Sequence, residues 1–189
     1  RPKLEEWAHP RSFGGIAKRE PIQSALWTQL KLEAAAAAES DCTVVSMDYS
    51  KFFDLFCPEF AWKLMEKAGF PSDIAHQMIH HLQNLKRYLK VGGTYDTIFT
   101  DCNGTPQGCS LSLFIANLYV TTLFNLLNDK YPDLKLGAII DDRNIRHHSP
   151  NTLMEAINTI INYDNAAGHQ NNIDNTAIWA TTSDARQQL

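Results

Sequence analysis

The chain has 189 residues, of which 44% are hydrophobic and 20% charged, and this composition supports one globular domain with a real core or a domain cut from a longer protein. Its formal net charge of −4 argues against a stand-alone nucleic-acid-binding protein, because such proteins carry an excess of basic residues. A nucleic-acid role must therefore rest on local basic patches or on other parts of a longer chain.

The start of the chain, its apolar runs and its cysteines bear on where the protein resides. Because the first residue is Arg1 and not methionine, we expect a piece of a longer protein. No basic leader precedes an apolar segment, and no apolar run approaches the roughly 20 residues of a membrane span. We therefore expect a soluble, intracellular protein, nuclear or cytoplasmic, with no membrane partner. The cysteines lack the close pairing of a metal ribbon and are expected to be reduced; they are Cys42, Cys57, Cys102 and Cys109.

The first half of the chain predicts helices, one buried strand and a hairpin. The alanine-rich segment from Ile22 to Glu39 predicts a helix, because alanine loses no side-chain entropy there. CTVVSMDYS (42–50) predicts a buried strand that ends in a charge. A helix is expected to begin at Pro58 and stop before the glycine at 69, and Ser72 is expected to cap the next one, DIAHQMIHHLQNL. RYLKV, GG and TYDTIFT (87–100) are typical of a β-hairpin.

The second half predicts a long helix and a second hairpin. An apolar helix is expected from about Ser110 to Lys130, followed by the strand LKLGAII (134–140), and RNIR (143–146) can run back beside it. A helix from Leu153 to Asn165 and a strand NTAIWATT (175–182) complete the order β, αα, ββ, α, ββ, α, β. This order favours an α+β fold in which helices pack on one face of an antiparallel sheet, in a ferredoxin-like split βαβ arrangement.

Three aspartates stand at the ends of predicted strands. Asp48 ends the first strand, while Asp141 and Asp142 lie at the tip of the second hairpin. Adjacent strands would bring these carboxylates together, and a pair of Mg²⁺ ions about 3.5–4 Å apart is the usual partner of such a cluster in phosphoryl transfer. The alternative is an ordinary turn, since aspartate bonds to nearby backbone and tolerates turn geometry.

Several segments resemble reverse transcriptases. MDYSKFFD (47–54) is similar to their first catalytic motif, NGTPQGCSLS (103–112) to the segment before a long helix, and IIDD (139–142) to the motif with paired aspartates. AAGHQNNIDNTAIWAT (166–181) resembles the fourth motif, and SFGGIAKREPIQSALW (12–27) resembles the fingers of non-LTR retrotransposon and group II intron enzymes. The motifs stand in the family order across about residues 11 to 182.

The resemblance implies a polymerase palm with part of the fingers. Residues 1–40 would be a partial fingers segment and 41–189 the palm, without primer grip or thumb. Catalysis would be the addition of deoxynucleoside triphosphates to a DNA primer 3′-hydroxyl on an RNA template. Other domains of a longer polyprotein would supply what this chain lacks.

The resemblance also assigns the metal ligands and catalytic residues. Asp48 and Asp141 would bind two Mg²⁺ ions, which Mn²⁺ can replace, with the Tyr49 carbonyl contributing to one ion and Asp142 supporting the site. Against this reading, Arg143 replaces the apolar residue that usually follows the pair. Strand alternation allows its guanidinium to face Asp141 and neutralise the carboxylates without metal.

Nucleotide-binding residues are implied in the same way. Phe53 would lie beneath the ribose and exclude a 2′-hydroxyl, although it also suits a core aromatic. Gln107 and Gly108 would shape the nucleotide and template floor, or form an ordinary loop before a helix. Lys18 and Arg19 would meet the triphosphate, or be solvated charges.

Further departures and a small basic group leave alternatives open. The family usually has an aromatic residue at the position of Ile139, a proline at that of Leu113 and a lysine at that of Asn175. The acidic net charge and the departures at Asn175 and Arg143 suit a catalytically inactive palm that acts as a nucleic-acid or protein interaction module. A basic group before the first hairpin either touches a phosphate backbone or is a solvated surface; it consists of Lys86, Arg87 and Lys90.

Two other enzyme classes fit the sequence less well. Viral RNA-dependent RNA polymerases share the palm layout, but they carry a polar residue where this chain has Phe53 and glycine where it has Ile140. A zinc hydrolase on His76 and His80 would need a glutamate after the first histidine to activate water, and Gln77 cannot accept a proton.

Overall fold

The structure, a computed structural model, describes residues 4–100 and 103–188. The elements in chain order are α1 (Leu4–Trp7), α2 (Pro21–Ala37), β1 (Thr43–Tyr49), α3 (Phe52–Leu55), α4 (Pro58–Lys67), α5 (Ser72–Gln83), β2 (Lys86–Arg87), β3 (Lys90–Val91), β4 (Thr94–Tyr95), β5 (Phe99–Thr100), α6 (Ser110–Lys130), β6 (Lys135–Ile139), β7 (Asp142–His147), α7 (Pro150–Ala166), β8 (Asn171–Ala180) and α8 (Ser183–Gln187).

One four-stranded sheet organises the fold, with the strand order β6-β7-β1-β8 and every neighbouring pair antiparallel. Side chains on successive strand residues point to opposite faces, and the burial of β1 follows this rule. Val45, Met47 and Tyr49 belong to the hydrophobic core, while Ser46 and Asp48 are only half-buried. The predicted α+β class with an antiparallel sheet is therefore confirmed.

Helices α6 and α7 supply a large part of the core on the apolar face of the sheet. Both present buried aliphatic residues at helical spacing, such as Leu153, Ile157 and Ile160 of α7. Such a stripe buries apolar area worth about 25 cal/mol per Å². The two helices thereby cover the apolar face of the sheet.

Helix α2 packs on the opposite face of the sheet, beside β6. Gly137 permits the approach, because a Cβ there would lie 2.8 Å from Ser24 Oγ and 2.7 Å from Asn144 Oδ1. The Thr28 hydroxyl of α2 donates to Asn144 Oδ1 at 3.2 Å. The helix thus covers β6 and β7 on the polar face.

The sequence placed most elements correctly. The hairpin of residues 87–100 forms as two nested strand pairs, β2 with β5 and β3 with β4, around Gly92 and Gly93, which both have positive φ. Two details differ: Ser72 is the first residue of α5 and not its cap, and β8 begins at Asn171, four residues before the predicted start. Cys42, Cys57 and Cys109 carry free thiols, as expected, and Cys102 lies outside the described residues.

The expectation about membrane spans was wrong for one element. Within residues 4–100 and 103–188, α6 alone is long and apolar enough to cross a membrane, although 61% of its apolar window is buried against the rest of the protein. This burial is that of a core helix, whose apolar residues face protein on most sides.

His169 is a histidine enclosed by aromatic rings in the core. Its imidazole stacks on Phe52 with the ring centroids 4.5 Å apart, its side chain is 1% exposed, and neither ring nitrogen has a partner in the described part of the chain. Burial lowers the pKa of His169 to about 4. Because the unfolded chain keeps an ordinary pKa near 6.5, it binds more protons than the folded protein as the pH falls from about 6.5 to about 4.

The fold is therefore expected to lose stability in this pH range. From pH 7 to pH 5 the contribution of His169 costs about 2 kcal/mol, and His169→Phe should remove that part of the pH dependence in urea denaturation. His81→Phe is the matched control, since His81 is exposed. An unchanged pH slope in His169→Phe would contradict the assignment.

Candidate active site

The aspartates of β1 and β7 meet on the polar face of the sheet. Met47 pairs with Arg143 in the β1–β7 ladder, and continuing that register by one residue sets Asp48 opposite Asp142. Burial, followed by the charges of Asp141 and Asp48, raises the pKa of Asp142. Asp141 and Asp48 therefore lie close enough for their charges to act on the Asp142 carboxylate.

The turn that carries Asp141 is strained. Only Ile140 and Asp141 separate β6 from β7, and Ile140 has φ of +60°. A two-residue hairpin loop requires positive φ at its first central residue, which suits glycine and costs a β-branched residue of order 1–3 kcal/mol. The fold accepts this cost at the point where the paired aspartates are presented.

Two asparagine amides hold the Asp48 carboxylate. Its Oδ2 accepts from Asn172 Nδ2 at 3.2 Å and from Asn175 Nδ2 at 3.0 Å, and its Oδ1 accepts from the Tyr49 backbone N–H at 2.8 Å. Asn175 occupies the position at which the family usually has a lysine. Here it fixes the orientation of a carboxylate with a neutral amide.

The donor chemistry of this cluster fits a hard divalent cation. Carboxylates and a backbone carbonyl are the oxygen ligands that Mg²⁺ prefers, and the mutual repulsion at Asp142 is what a bound cation would relieve. Across residues 4–100 and 103–188 no three side chains of histidine, cysteine, aspartate or glutamate are already grouped for metal binding.

Arg143 does not face these carboxylates. The side chain is 1% exposed and points to the helix side of the sheet, where its Nη1 forms an ion pair with Asp164 Oδ2 at 2.9 Å. The guanidinium lies 3.8 Å from the centroid of the Tyr49 ring. The hypothesis that Arg143 neutralises the aspartate pair is thus wrong, because strand alternation sends Arg143 and Asp142 to opposite faces.

The loop with Gln107 and Gly108 docks against the helix that carries Phe53. The Thr105 N–H donates to the Phe53 carbonyl at 2.7 Å, and the half-buried Phe53 ring meets the Phe52 ring edge-on with centroids 5.2 Å apart. Gln107 and Gly108 are exposed. Phe53, Gln107 and Gly108 are therefore held on one connected unit, and their contacts with a nucleotide remain predictions.

Lys18 and Arg19 differ in their exposure and in their hydrogen bonds. Lys18 is exposed, whereas the Arg19 guanidinium donates to backbone carbonyls of the N-terminal segment. The accepting residues are Glu5, Ala8, His9 and Ser12, at 2.6–3.4 Å. A triphosphate contact stays a prediction for Lys18, and for Arg19 it would require breaking these bonds.

The basic group before the first hairpin has protein partners as well as solvent contact. Lys90 Nζ lies 5.2 Å from the Tyr95 ring centroid, and Arg87 Nη2 donates to the Gly104 carbonyl at 3.5 Å. Arg87 therefore contacts the loop that carries Gln107. A phosphate contact by this group stays a prediction.

Sequence reasoning missed Asp164, Tyr119 and Asn172. Asp164 continues the buried stripe of α7, three positions after the half-buried Ile161 and four after Ile160, and is itself 0% exposed. A charge at a core position of an amphipathic helix was the available signal, since a buried carboxylate must have a partner. Asn172 gave no such signal.

Gly104 and Gly108 provide a matched pair for the loop. Both have positive φ, +84° and +83°, but a Cβ at Gly104 would lie 2.8 Å from the Asp54 carbonyl oxygen, whereas a Cβ at Gly108 meets nothing within 4 Å. Gly108→Ala should cost about 1–2 kcal/mol of backbone strain. Gly104→Ala should cost about 1–3 kcal/mol more. Equal losses in urea denaturation would mean that the loop does not rest on α3.

Lys18 and Arg19 can be separated by substitution. Arg19→Ala should lower the free energy of unfolding by about 2–3 kcal/mol, because charged hydrogen bonds to several carbonyls are lost, and should speed proteolysis before residue 19. Lys18→Ala should change stability by less than about 0.5 kcal/mol. Equal proteolysis of both variants would contradict the bracing role of Arg19.

Comparison with known proteins gives the family. The family model described as reverse transcriptase (RNA-dependent DNA polymerase) matches residues 6–183, whereas a search of curated proteins found no match. Telomerase from Candida tropicalis in complex with a TWJ fragment of telomeric RNA is 14% identical with a TM-score of 0.71, over 93% of this chain and 31% of that one. The Candida albicans telomerase complex is 12% identical with a TM-score of 0.69, over 89% and 31%.

A third structure agrees with these two. Apo telomerase from Candida tropicalis, truncated from the C-terminal domain, is 15% identical with a TM-score of 0.68, over 90% of this chain and 36% of that one. At this identity the likeness shows the fold, and the present chain spans about a third of each telomerase chain. Because the family model spans nearly the whole sequence and its motifs lie on the palm-like sheet, the chain belongs to the reverse transcriptase (RNA-dependent DNA polymerase) family.

Proposed function

We propose that this chain is the palm, with part of the fingers, of a retroelement-type reverse transcriptase that adds deoxynucleotides to a primer 3′-hydroxyl on an RNA template. The observation that carries the proposal is the approach of Asp48 and Asp141 to Asp142, whose pKa is raised by burial first and then by the charges of Asp141 and Asp48. Residues 1–40 would be the fingers segment and 41–189 the palm.

The aspartates would hold the metal. Asp48 and Asp141, with the Tyr49 carbonyl, are the proposed ligands, and Asp142 supports them. Two Mg²⁺ ions bound there would neutralise the charge that develops on the transferred phosphoryl group. The chain's own part is to position these oxygens on β1 and on the turn between β6 and β7, and the Asn172 and Asn175 amides orient the Asp48 carboxylate.

Substrate contacts would come from α3 with its docked loop and from Lys18. Phe53 would lie beneath the ribose and favour a deoxynucleotide, Gln107 and Gly108 would line the template side, and Lys18 would meet the triphosphate. Two of the telomerase structures with this fold contain telomeric RNA, which supports a nucleic-acid template as partner.

A second candidate is a catalytically inactive palm that acts as an interaction module. Two observations favour it: both amides near Asp48 occupy its Oδ2, and the described residues hold no preformed group of three metal-binding side chains. If this candidate is correct, the Asp48 carboxylate joins β1 to β8 through the asparagine amides and does not bind an ion.

Calorimetric titration with Mg²⁺ and Mn²⁺ tests the proposal. With a primer-template and a deoxynucleotide present, the chain should bind metal and extend the primer, and Asp141→Asn should lower both metal affinity and extension by about 100-fold or more. Asp133→Asn is the matched control, because Asp133 is an exposed aspartate at the other end of β6.

The two candidates predict different results. Metal binding that Asp141→Asn abolishes and Asp133→Asn preserves supports the catalytic palm. Nucleic-acid binding that is unchanged by metal or by Asp141→Asn, with no metal heat in any variant, supports the interaction module.

A further inference from the structure

A single buried carboxylate collects hydrogen bonds from three elements behind the aspartate cluster. Asp164 Oδ1 accepts from the Tyr49 hydroxyl at 2.8 Å, from the Tyr119 hydroxyl at 2.7 Å and from Arg143 Nη1 at 3.0 Å. Its other oxygen, Oδ2, forms the ion pair with Arg143. Helix α7 is thereby joined to β1, β7 and α6 at one point.

Two of these donors are the chain neighbours of two aspartates of the proposed metal site. Tyr49 directly follows Asp48 on β1, and Arg143 directly follows Asp142 on β7. Because successive strand residues face opposite sides, fixing Tyr49 and Arg143 on the helix side fixes the residues before them on the polar side. We propose that Asp164 is a positioning residue that sets the spacing of Asp48 and Asp142 by tying Tyr49 and Arg143 to one carboxylate.

A second path leads from the same arginine to the Asp48 carboxylate. Arg143 Nη2 donates to Asn171 Oδ1 at 2.9 Å, and Asn171 pairs with Tyr49 in the β1–β8 ladder. The next residue, Asn172, donates to Asp48 Oδ2 at 3.2 Å. Arg143 therefore links the two strands that flank β1. It belongs to β7, and it donates a hydrogen bond to Asn171 of β8.

Stability alone does not account for this ion pair. A fully buried pair repays its desolvation only with complete hydrogen bonding, and apolar replacements of similar volume are often neutral or stabilising. Arg143 Nε has no partner in the described part of the chain. Apolar side chains would fill the same space, but their contacts are not directional. Hydrogen bonds between a guanidinium and a carboxylate fix the distance and the angle between the two groups.

The double variant Arg143→Met/Asp164→Asn tests the inference, which rests on the proposed function. It removes both charges together, so no unpaired charge is left buried, and the new asparagine oxygen still accepts from Tyr49 and Tyr119. Calorimetry with Mn²⁺ should show roughly 10–100-fold weaker binding, as for other residues that orient metal ligands. Where extension is measurable, kcat should fall by a similar factor while KM for the nucleotide stays within about twofold.

Ile160→Ala is the matched control for loss of stability. Ile160 lies one turn before Asp164 on α7, is 0% exposed and belongs to the hydrophobic core. Its truncation destabilises α7 packing but should leave Mn²⁺ affinity within about twofold. A weakening of Mn²⁺ binding in both variants alike would overturn the inference, because general loosening of α7 would explain it.

The wild-type chain separates the two proposals. Wild-type binding of Mn²⁺ that the double variant retains in full would refute the positioning role and leave the catalytic palm intact. No Mn²⁺ binding by the wild-type chain would refute the proposed function, and with it the inference that rests on it.

Discussion

The interaction on which the rest of the structure depends is the buried contact between Arg143 and Asp164. It joins the hairpin that presents the aspartate pair to the helix beneath the sheet, and the Tyr49 and Tyr119 hydroxyls share the same carboxylate. Each of these groups would be costly to bury alone. Together they satisfy one another, so the strands cannot shift relative to α7 without leaving a buried polar group unpaired. The core thereby acquires a fixed register that apolar packing alone does not impose.

This rigidity matters because charge repulsion and backbone strain on the opposite face of the sheet act against the hairpin. The charges of Asp141 and Asp48 act on the Asp142 carboxylate, whose pKa is raised by burial first and then by those charges, and the left-handed backbone at Ile140 adds strain. Both costs favour a hairpin that opens. The ion pair behind the sheet and the amides on Asp48 counter that tendency. Functional sites often keep such local costs, which the surrounding structure must offset.

Local patterns were enough to predict the helices, the hairpins and the place of the aspartates, since apolar periodicity and turn residues act within a few residues of one another. The side to which Arg143 points was mistaken, because alternation had to be counted from Asp142 and not from the turn residue Asp141. Asp164 was missed since its donors stand 21 to 115 residues away in the chain. A single sequence carries no local sign of contacts over such distances. The helix α2 was predicted, but its position on the polar face was not. Gly137 allows the close approach of Ser24, and this contact is visible only in the folded structure.

The strand order also sets when this domain can fold. The central strand β1 pairs with β7 on one side and with β8 on the other. In the β1–β7 ladder, Thr43 pairs with His147. A ribosome that adds roughly 5–20 residues per second must therefore work for about 5–20 s after making β1 before the first of these partners exists. Until then the valine-rich strand has two unpaired edges, the condition in which nascent chains aggregate. The strand order therefore leaves β1 without a pairing partner until most of the domain has been made.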